Sequence, residues 1–324
     1  MKPSRVIRQL LILASALLVH FQWACAQQPA VLLQGQEVPL YKASMALVIG
    51  ASKYKTWPSL PNVERETAAV AAALRKQGFL VRHVIDPSGD TLQSAFRDFF
   101  AEYGGDPDNR LLVYYAGHGH SIGETGYLVG VDAPNPTTDL ANFLKRSQSM
   151  SLLVAASKDY RARHALYVFD SCFSGAIFSA RSEYSAPAID RENVTRYLTG
   201  PAAFPLRQFI TSGSESQRVP EVSQFTPLFL HAIEGRVGDL SRGGFVSAKE
   251  MGYWLQKQLS SYASNQTPQS GTILDARLDR GDFVFSPPAL ETQRHPAQGR
   301  PATTKVDNDK KRECFKFNDE TYCQ

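Results

Sequence analysis

The fold is decided by YYAGHGH at residues 114–120 and FDSCFSG at residues 169–175. Each stretch begins at the end of a short apolar segment that is rich in β-branched and aromatic residues, which is typical of a parallel strand buried on both faces. In open parallel sheets, reactive groups lie just beyond the carboxyl ends of the strands. The pattern therefore predicts that His118 and Cys172 meet at one edge of a sheet.

A thiol and an imidazole at one sheet edge are a candidate nucleophile and base, which predicts a cysteine peptidase. Taken singly, Cys172 could be a small buried apolar residue and His118 a loop residue. Their joint position at two strand ends favours catalysis. A metal site of His118, His120 and either Asp132 or Asp170 is a further alternative, although no third ligand has a characteristic spacing.

Strands and helices alternate along the chain. We predict strands at 47–50, 79–85, 111–115, 126–132, 165–169, 206–212 and 281–285, and helices at 63–76, 91–103, 151–159, 226–234 and 247–259. This alternation predicts an α/β fold with a doubly wound, mainly parallel sheet flanked by helices. The polar stretch 176–205 has no clear periodicity, and we interpret it as a long mobile loop.

The length and composition agree with one large domain and extensions. The 324 residues are 43% hydrophobic and 20% charged, and the formal net charge is +4. Lysine and arginine are scattered through the predicted domain and are concentrated only near the two ends. Because no basic stripe is present, we expect no nucleic-acid partner.

The first residues have the pattern of an export signal. Basic residues precede an apolar run at 10–19, and ACA at 24–26 has the small side chains of a signal peptidase site. We therefore expect a signal peptide at 1–26, cleavage after Ala26, a periplasmic or secreted protein, and no stable membrane association afterwards. Alternatives are a lipoprotein beginning at Cys25 and an uncleaved anchor, although a spanning helix needs about 20 apolar residues.

The cysteines suggest an oxidising compartment. After cleavage the chain keeps Cys172, Cys314 and Cys323, and the last two flank a short segment with an Asn-Asp turn signal. We predict that Cys314 and Cys323 form a disulfide, which leaves Cys172 as the free thiol. Residues 287–312 have the composition of a Pro-rich linker, and 313–324 would be a disulfide-stapled tail.

From about residue 44 to residue 286, the chain resembles the caspase-like fold and, within it, the bacterial relatives of metacaspases. The resemblance rests on ALVIG at 46–50, LPN at 60–62, YAGHG at 115–119, DSCFSG at 170–175, TSGS at 211–214, QTPQ at 266–269 and GDFVF at 281–285. It implies a large-subunit-like part to about 180, the loop 176–205, and a small-subunit-like part at 206–286. Residues 27–43 would then be an N-terminal extension.

The resemblance implies a role for each residue of the site. Cys172 would be the nucleophile, and His118 would accept the thiol proton and later protonate the leaving amine. The backbone N–H groups of Gly119 and Cys172 would form the oxyanion hole. The chain keeps both dyad residues but departs from the family at Phe173, where a polar residue is usual, and at Ala116, where serine is usual.

The resemblance also implies a pocket for the side chain before the cut. Asp170 matches the acidic residue of metacaspases two positions before the nucleophile, and Glu66 lies where the family often has a second acid. Ala116 would line the same pocket. Carboxylates would select arginine or lysine in a protein or peptide substrate. Glu66 has an alternative interpretation as a solvated helix residue.

The function predicted is therefore an exported cysteine endopeptidase with a His/Cys dyad. Its alternative is a catalytically silent caspase-like binding module. Basic residues in the loop, at Arg181, Arg191 and Arg196, suggest self-processing. We expect no required cofactor. Calcium stays an alternative, because some metacaspases bind it, but the loop acids Asp132 and Asp139 do not assign a site for it.

Several residues near the dyad have a plainer interpretation. We interpret His120 as a residue at the rim of the pocket. The aromatic residues Tyr54, Trp57 and Tyr114 are interpreted as packing residues rather than as ligand contacts.

Overall fold

The computed structural model describes residues 30–33, 36–171, 194–213, 223–237, 245–262, 267–286, 314–317 and 320–323. Its strands are β1 (Ala30–Leu33), β2 (Gln36–Pro39), β3 (Ala43–Gly50), β4 (Leu80–Ile85), β5 (Asn109–Ala116), β6 (Gly119–Ile122), β7 (Thr125–Val129), β8 (Ser147–Ser149), β9 (His164–Asp170), β10 (Leu206–Thr211), β11 (Val246–Ser247), β12 (Gln269–Thr272), β13 (Val284–Phe285), β14 (Cys314–Phe317) and β15 (Glu320–Cys323). Its helices are α1 (Val63–Lys76), α2 (Gly89–Tyr103), α3 (Leu140–Lys145), α4 (Met150–Ser157), α5 (Val194–Thr199), α6 (Phe225–Ile233) and α7 (Ala248–Tyr262).

Six strands form the central sheet in the order β12-β10-β9-β5-β3-β4. All neighbouring pairs are parallel except β10 with β12. The strands β5 and β9 are buried along their whole length, as expected for central strands covered on both faces. The predicted mainly parallel sheet with flanking helices is confirmed. The predicted strand at 281–285 differs, because only β13 forms there and it pairs with β11 outside this sheet.

The carboxyl ends of three central strands lie in register. Gly50 at the end of β3 pairs with Ala116 at the end of β5, and Ala116 pairs with Asp170 at the end of β9. Hydrogen bonds continue past these ends, because the N–H of Ala51 donates to Ala116 at 2.9 Å and that of Gly117 donates to Asp170 at 3.2 Å. The loops that leave this edge are therefore held side by side.

The helix α1 packs closely on the end of β3. A Cβ atom on Gly50 would lie 2.7 Å from Oγ1 of Thr67, so only glycine permits this approach. The helix carries Glu64 and Glu66 in its first turn, where carboxylates interact favourably with the helix dipole. The alternation of buried and exposed positions along α1 places Glu66 on the buried side, so the alternative of a solvated Glu66 is wrong.

The stretch 176–205 is not a loop throughout. Residues 176–193 lie outside the described residues, but α5 and a 3₁₀ turn at Pro201–Ala203 follow them. Tyr197 and Leu198 of α5 are buried in a second apolar cluster with Tyr41, Ala202, Phe245 and Val284. The helix is too short for a clear sequence period, and its tertiary contacts stabilise it. Arg196, expected in a mobile loop, lies within this helix.

The end of the chain forms a two-stranded hairpin of β14 and β15. The antiparallel register places Cys314 directly opposite Cys323. The predicted disulfide stays a prediction, as do the linker at 287–312 and the signal peptide at 1–26, which lie outside the described residues. Within the described part of the chain, every helix is too short or too polar to span a bilayer.

Candidate active site

The His118 backbone is held by two buried tyrosines. The N–H of His118 donates to the hydroxyl of Tyr54 at 2.7 Å, and the hydroxyl of Tyr115 donates to the carbonyl of His118 at 2.9 Å. Both tyrosine rings are buried. The residue between β5 and the histidine is Gly117, where a Cβ atom would lie 2.7 Å from both hydroxyl oxygens. The glycine therefore lets the two hydroxyls close around the loop that presents His118.

The imidazole ring of His118 has a defined orientation. Its Nε2 atom lies 2.8 Å from the carbonyl oxygen of Pro58, which can only accept a hydrogen bond. Nε2 therefore carries a proton, and in the neutral ring the lone pair is on Nδ1. The ring also contacts Tyr54, with centroids 4.6 Å apart, and Trp57, with centroids 5.5 Å apart. Tyr54 and Trp57 thus pack against the imidazole, and their role as packing residues rather than ligand contacts stays a prediction.

Cys172, the predicted nucleophile, lies outside the described residues. The residue before it in the sequence, Ser171, is buried just after the end of β9. Because Ala116 pairs with Asp170, His118 and Cys172 each lie two positions beyond a matched pair of strand ends. The dyad and the oxyanion role of Gly119 stay predictions.

The Asp170 carboxyl is the centre of a buried hydrogen-bonded group. Its Oδ2 atom accepts hydrogen bonds from the hydroxyls of Ser223 and Thr226, the latter at 2.6 Å. Because the Thr226 proton points to Asp170, the hydroxyl of Tyr114 donates to Thr226, at 2.6 Å. Burial raises the pKa of Asp170, and hydrogen bonds from the side chains of Ser223, Thr226 and Ser212 partly offset this effect.

Glu66 places a second carboxyl close to the first. Burial, together with the negative charge of Asp170, raises the pKa of Glu66 to about 7, and the positive charge of Arg65 only partly opposes this. The two charges also raise the pKa of Tyr114, after burial as the main cause. Two carboxyl groups from α1 and β9 and the phenol of Tyr114 from β5 therefore share one region. Tyr114 is part of this group and does more than pack.

The remaining predicted residues have mixed positions. Ala116 is buried at the end of β5, between Gly50 and Asp170. His120 is half-buried and its ring contacts Trp57 and Phe143, with centroids 5.7 Å and 5.6 Å apart. In the part of the chain that the structure describes, no three histidine, cysteine, aspartate or glutamate side chains are grouped closely enough to hold a metal ion.

Hydrogen bonds within the protein hold both loop acids. Asp132 accepts hydrogen bonds from the N–H of Gly89 at 2.8 Å and from the Arg146 guanidinium. Asp139 accepts from the backbone and the side chain of Asn142 at the start of α3. Both carboxylates thus bind groups of the protein itself, and one of them is paired with a cation.

Sequence reasoning missed four contributors to this edge. They are the carbonyl of Pro58, the ring of Trp57, and the hydroxyls of Ser223 and Thr226. The signal for Ser223 was present, because its Oγ accepts from the N–H of Phe225 at 3.2 Å, as expected of a serine that precedes a helix. The other contacts join residues that are far apart in the sequence and carry no local signal.

Comparisons with known proteins agree with this architecture. Residues 43–274 match the peptidase C14 family, described as the caspase domain. A segment of 103 residues, 32% of this chain, is 32% identical to the mucosa-associated lymphoid tissue lymphoma translocation protein 1 of Homo sapiens. The chain spans only 12% of the length of that relative.

Two solved structures are similar over 74% of this chain. One is caspase-1 from Spodoptera frugiperda, with 16% identity, 93% coverage of that chain and a TM-score of 0.45. The other is protein GSU0716 from Geobacter sulfurreducens, with 15% identity, 97% coverage and a TM-score of 0.45.

Proposed function

The chain belongs to the caspase-domain family of peptidases, and from this we propose that it is an exported cysteine endopeptidase that cuts after arginine or lysine with a dyad of His118 and Cys172. Membership in the family supports cysteine peptidase activity and protein substrates. The dyad, the specificity and the export are our proposal.

In the proposed reaction, the Cys172 thiol transfers its proton to Nδ1 of His118, and the thiolate attacks the scissile carbonyl. The hydrogen bond from Nε2 to Pro58 supports this role, because it leaves Nδ1 as the basic nitrogen. The negative oxygen of the tetrahedral intermediate would be stabilised by the N–H groups of Gly119 and Cys172. Nδ1–H then protonates the leaving amine, and water hydrolyses the thioester to restore the thiol and release the carboxyl product.

The specificity for a basic side chain rests on Asp170. Its carboxyl group is buried, the hydroxyls of Ser223 and Thr226 hold Oδ2 in place, and the Ser212 side chain is near enough to lower its pKa. The neighbouring carboxyl of Glu66 increases the negative potential. A guanidinium or ammonium group supplies the donors and the positive charge that this region requires, since a buried charge is costly when it is unpaired. An aspartate side chain in the same place would be repelled.

The test is hydrolysis of fluorogenic peptides that differ only in the residue before the cut. The chain from residue 27 onward should cleave substrates with arginine or lysine and not those with aspartate. Two unit charges about 4 Å apart at an effective dielectric of about 20 interact by about 4 kcal/mol, less desolvation, so we expect a preference of about a hundredfold. Cys172→Ala should show no turnover.

Two matched variants isolate the pocket. Asp170→Asn should lower kcat/KM for basic substrates by about a hundredfold and leave alkylation of the thiol unchanged. Asp282→Asn is the control, because Asp282 is also buried and accepts hydrogen bonds from two hydroxyls, those of Tyr197 and Ser247, at a different corner of the fold. If both variants lost activity equally, the loss would reflect folding and the assignment of Asp170 would fail.

Export is tested separately. The protein expressed with its own residues 1–26 should be recovered outside the cytoplasm with Gln27 as its first residue. A cytoplasmic protein that keeps residues 1–26 would refute export without affecting the assignment of the dyad.

A further inference from the structure

Two aromatic rings and a carbonyl surround the imidazole of His118. The Trp57 ring lies at 5.5 Å between centroids with an interplanar angle of 35°, and the Tyr54 ring lies at 4.6 Å with an angle of 58°. The Pro58 carbonyl accepts the Nε2 proton at 2.8 Å. All three groups interact more favourably with a protonated imidazolium than with a neutral imidazole, because aromatic faces attract cations and a carbonyl bonds more strongly to a charged donor.

The Trp57 ring is fixed before any substrate binds. Its Nε1–H donates to the carbonyl of Ala133 at 3.0 Å, and the Thr56 hydroxyl donates to the same carbonyl at 2.7 Å. The indole also contacts Phe143, which is fully buried, with centroids 6.3 Å apart. Tryptophan has the strongest cation–π interaction of the aromatic residues within about 6 Å of a cation. The interaction with His118 therefore needs little reorganisation.

We propose that Trp57 is a positioning residue that stabilises His118 as an imidazolium and thereby favours the thiolate of Cys172. The inference rests on the proposed dyad. The proton leaves Sγ of Cys172 and binds Nδ1 of His118, and the Trp57 ring stabilises the resulting positive charge. Trp57 does not touch the scissile bond in this role, but it increases the fraction of enzyme that holds a nucleophilic thiolate.

Three other titratable groups of the described residues lie around His118. The Tyr54 phenol stays neutral, because burial raises its pKa well above its ordinary value. His120 also contacts Trp57, with ring centroids 5.7 Å apart, and its protonation would compete for the same indole. The Tyr115 hydroxyl binds the backbone carbonyl of His118. Cys172 is the partner in the proposed proton transfer.

The direct test is the titration of His118 by NMR in the protein that comprises residues 27–324. Every sample contains labelled histidine and the substitution Cys172→Ala. Trp57→Leu should lower the titration midpoint of His118 by about one pH unit, from the size of a partly desolvated cation–π interaction. Trp57→Phe should keep about half of the effect, because a smaller aromatic face remains. His120 is followed in the same spectra.

The matched control is Trp254→Leu. Trp254 is also partly buried against the main core, but it lies on α7, and its ring does not contact His118 among the described residues. It should leave the His118 midpoint within about 0.2 units, a margin well below the size of the cation–π effect. An unchanged midpoint in a folded Trp57→Leu protein, or in Trp57→Phe if the leucine variant does not fold, overturns the proposal.

A second measurement separates this inference from the proposed function. In protein that keeps Cys172, the pH at which iodoacetamide alkylation reaches half its maximum rate should rise with Trp57→Leu. If the His118 midpoint falls as expected while basic peptides are not hydrolysed, the Trp57 inference stands and the peptidase proposal fails. If peptides are hydrolysed but neither the midpoint nor the alkylation profile moves, the Trp57 inference fails alone.

Discussion

Replacement of Glu66 by glutamine is expected to stabilise the folded protein while weakening its preference for basic substrates. Glu66 is only 3% exposed, and its carboxyl group forms no ion pair among the described residues. Burial and the charge of Asp170 raise its pKa from an ordinary 4.5 to about 7. The residue is therefore unfavourable for folding when it is ionised, which is typical of a residue kept for function.

The pH dependence follows from the direction of this pKa change. In the unfolded chain Glu66 ionises near pH 4.5, whereas in the folded chain it ionises near pH 7. Below pH 4.5 the ionisation of Glu66 does not lower the stability of the folded protein. Between pH 4.5 and pH 7 the loss of stability grows by about 1.4 kcal/mol per pH unit, and above pH 7 it stays at about 3 kcal/mol. Glutamine removes this cost, but its amide loses hydrogen bonds to water that are worth about 1 kcal/mol. The net gain at pH 8 should be about 2 kcal/mol.

Urea unfolding at pH 5 and pH 8, with Cys172→Ala in all samples to prevent self-digestion, measures this gain. The Glu66→Gln variant should unfold at higher urea than its parent at pH 8 and at nearly the same urea at pH 5. Glu64→Gln is the control, because Glu64 lies in the same helical turn but is exposed in an ion pair with Lys53 at 3.0 Å, and such pairs contribute less than about 1 kcal/mol.

The reasoning would be refuted by a Glu66→Gln protein that is less stable than its parent at pH 8, or by a stability difference that is the same at both pH values. Either result would mean that the carboxyl group is ionised and well paired in the folded protein. In the enzyme that keeps Cys172, the same substitution should reduce kcat/KM for arginine substrates by about tenfold at pH 8, because one of two pocket charges is lost. The effect should shrink toward pH 6, where Glu66 is mostly protonated.

Gly117→Ala should reduce activity by at least tenfold and lower stability by about 1–3 kcal/mol, because the new methyl group would overlap two tyrosine hydroxyls. Unchanged kinetics would argue against the observed loop geometry. Self-processing should leave the bond after Arg196 intact, because that bond lies in α5 beside the buried Tyr197 and Leu198. Mass spectrometry that finds a cut there in folded protein would contradict this prediction. Cys314 and Cys323 should be oxidised in the mature protein, with about 2–3 kcal/mol of chain-entropy stabilisation for so short a loop, and a thiol titration that finds three reactive cysteines would disprove it.

The position of the site could be predicted from local patterns. The apolar runs before His118 and before Asp170 predict buried parallel strands, and parallel strands end at a common edge. The observed pairing of Ala116 with Asp170 agrees with that prediction. The sequence does not predict whether Glu66 is buried, because a carboxylate in the first turn of a helix is equally typical of a solvated residue that interacts with the helix dipole.

The contacts around His118 could not be predicted in the same way. Tyr54, Trp57 and Pro58 come from a loop about sixty positions earlier, and their distances to the imidazole depend on how β3 and α1 pack. Local periodicity reports which face of an element is apolar, but it does not report which side chains meet across a sheet. The same holds for Thr226, whose contact with Asp170 spans two elements that are separated by residues outside the described part.

The sequence by itself determined the fold class, because the alternation of strands and helices depends on repeating patterns of a few residues. It also determined the candidate dyad, because His118 and Cys172 lie in motifs that directly follow two apolar strands. Only the tertiary structure decided that Glu66 is buried near Asp170 and that Nε2 of His118 donates to a carbonyl. It also decided that residues 194–199 form a helix. Those features depend on desolvation and on hydrogen bonds between distant segments, which exist only once the chain has packed.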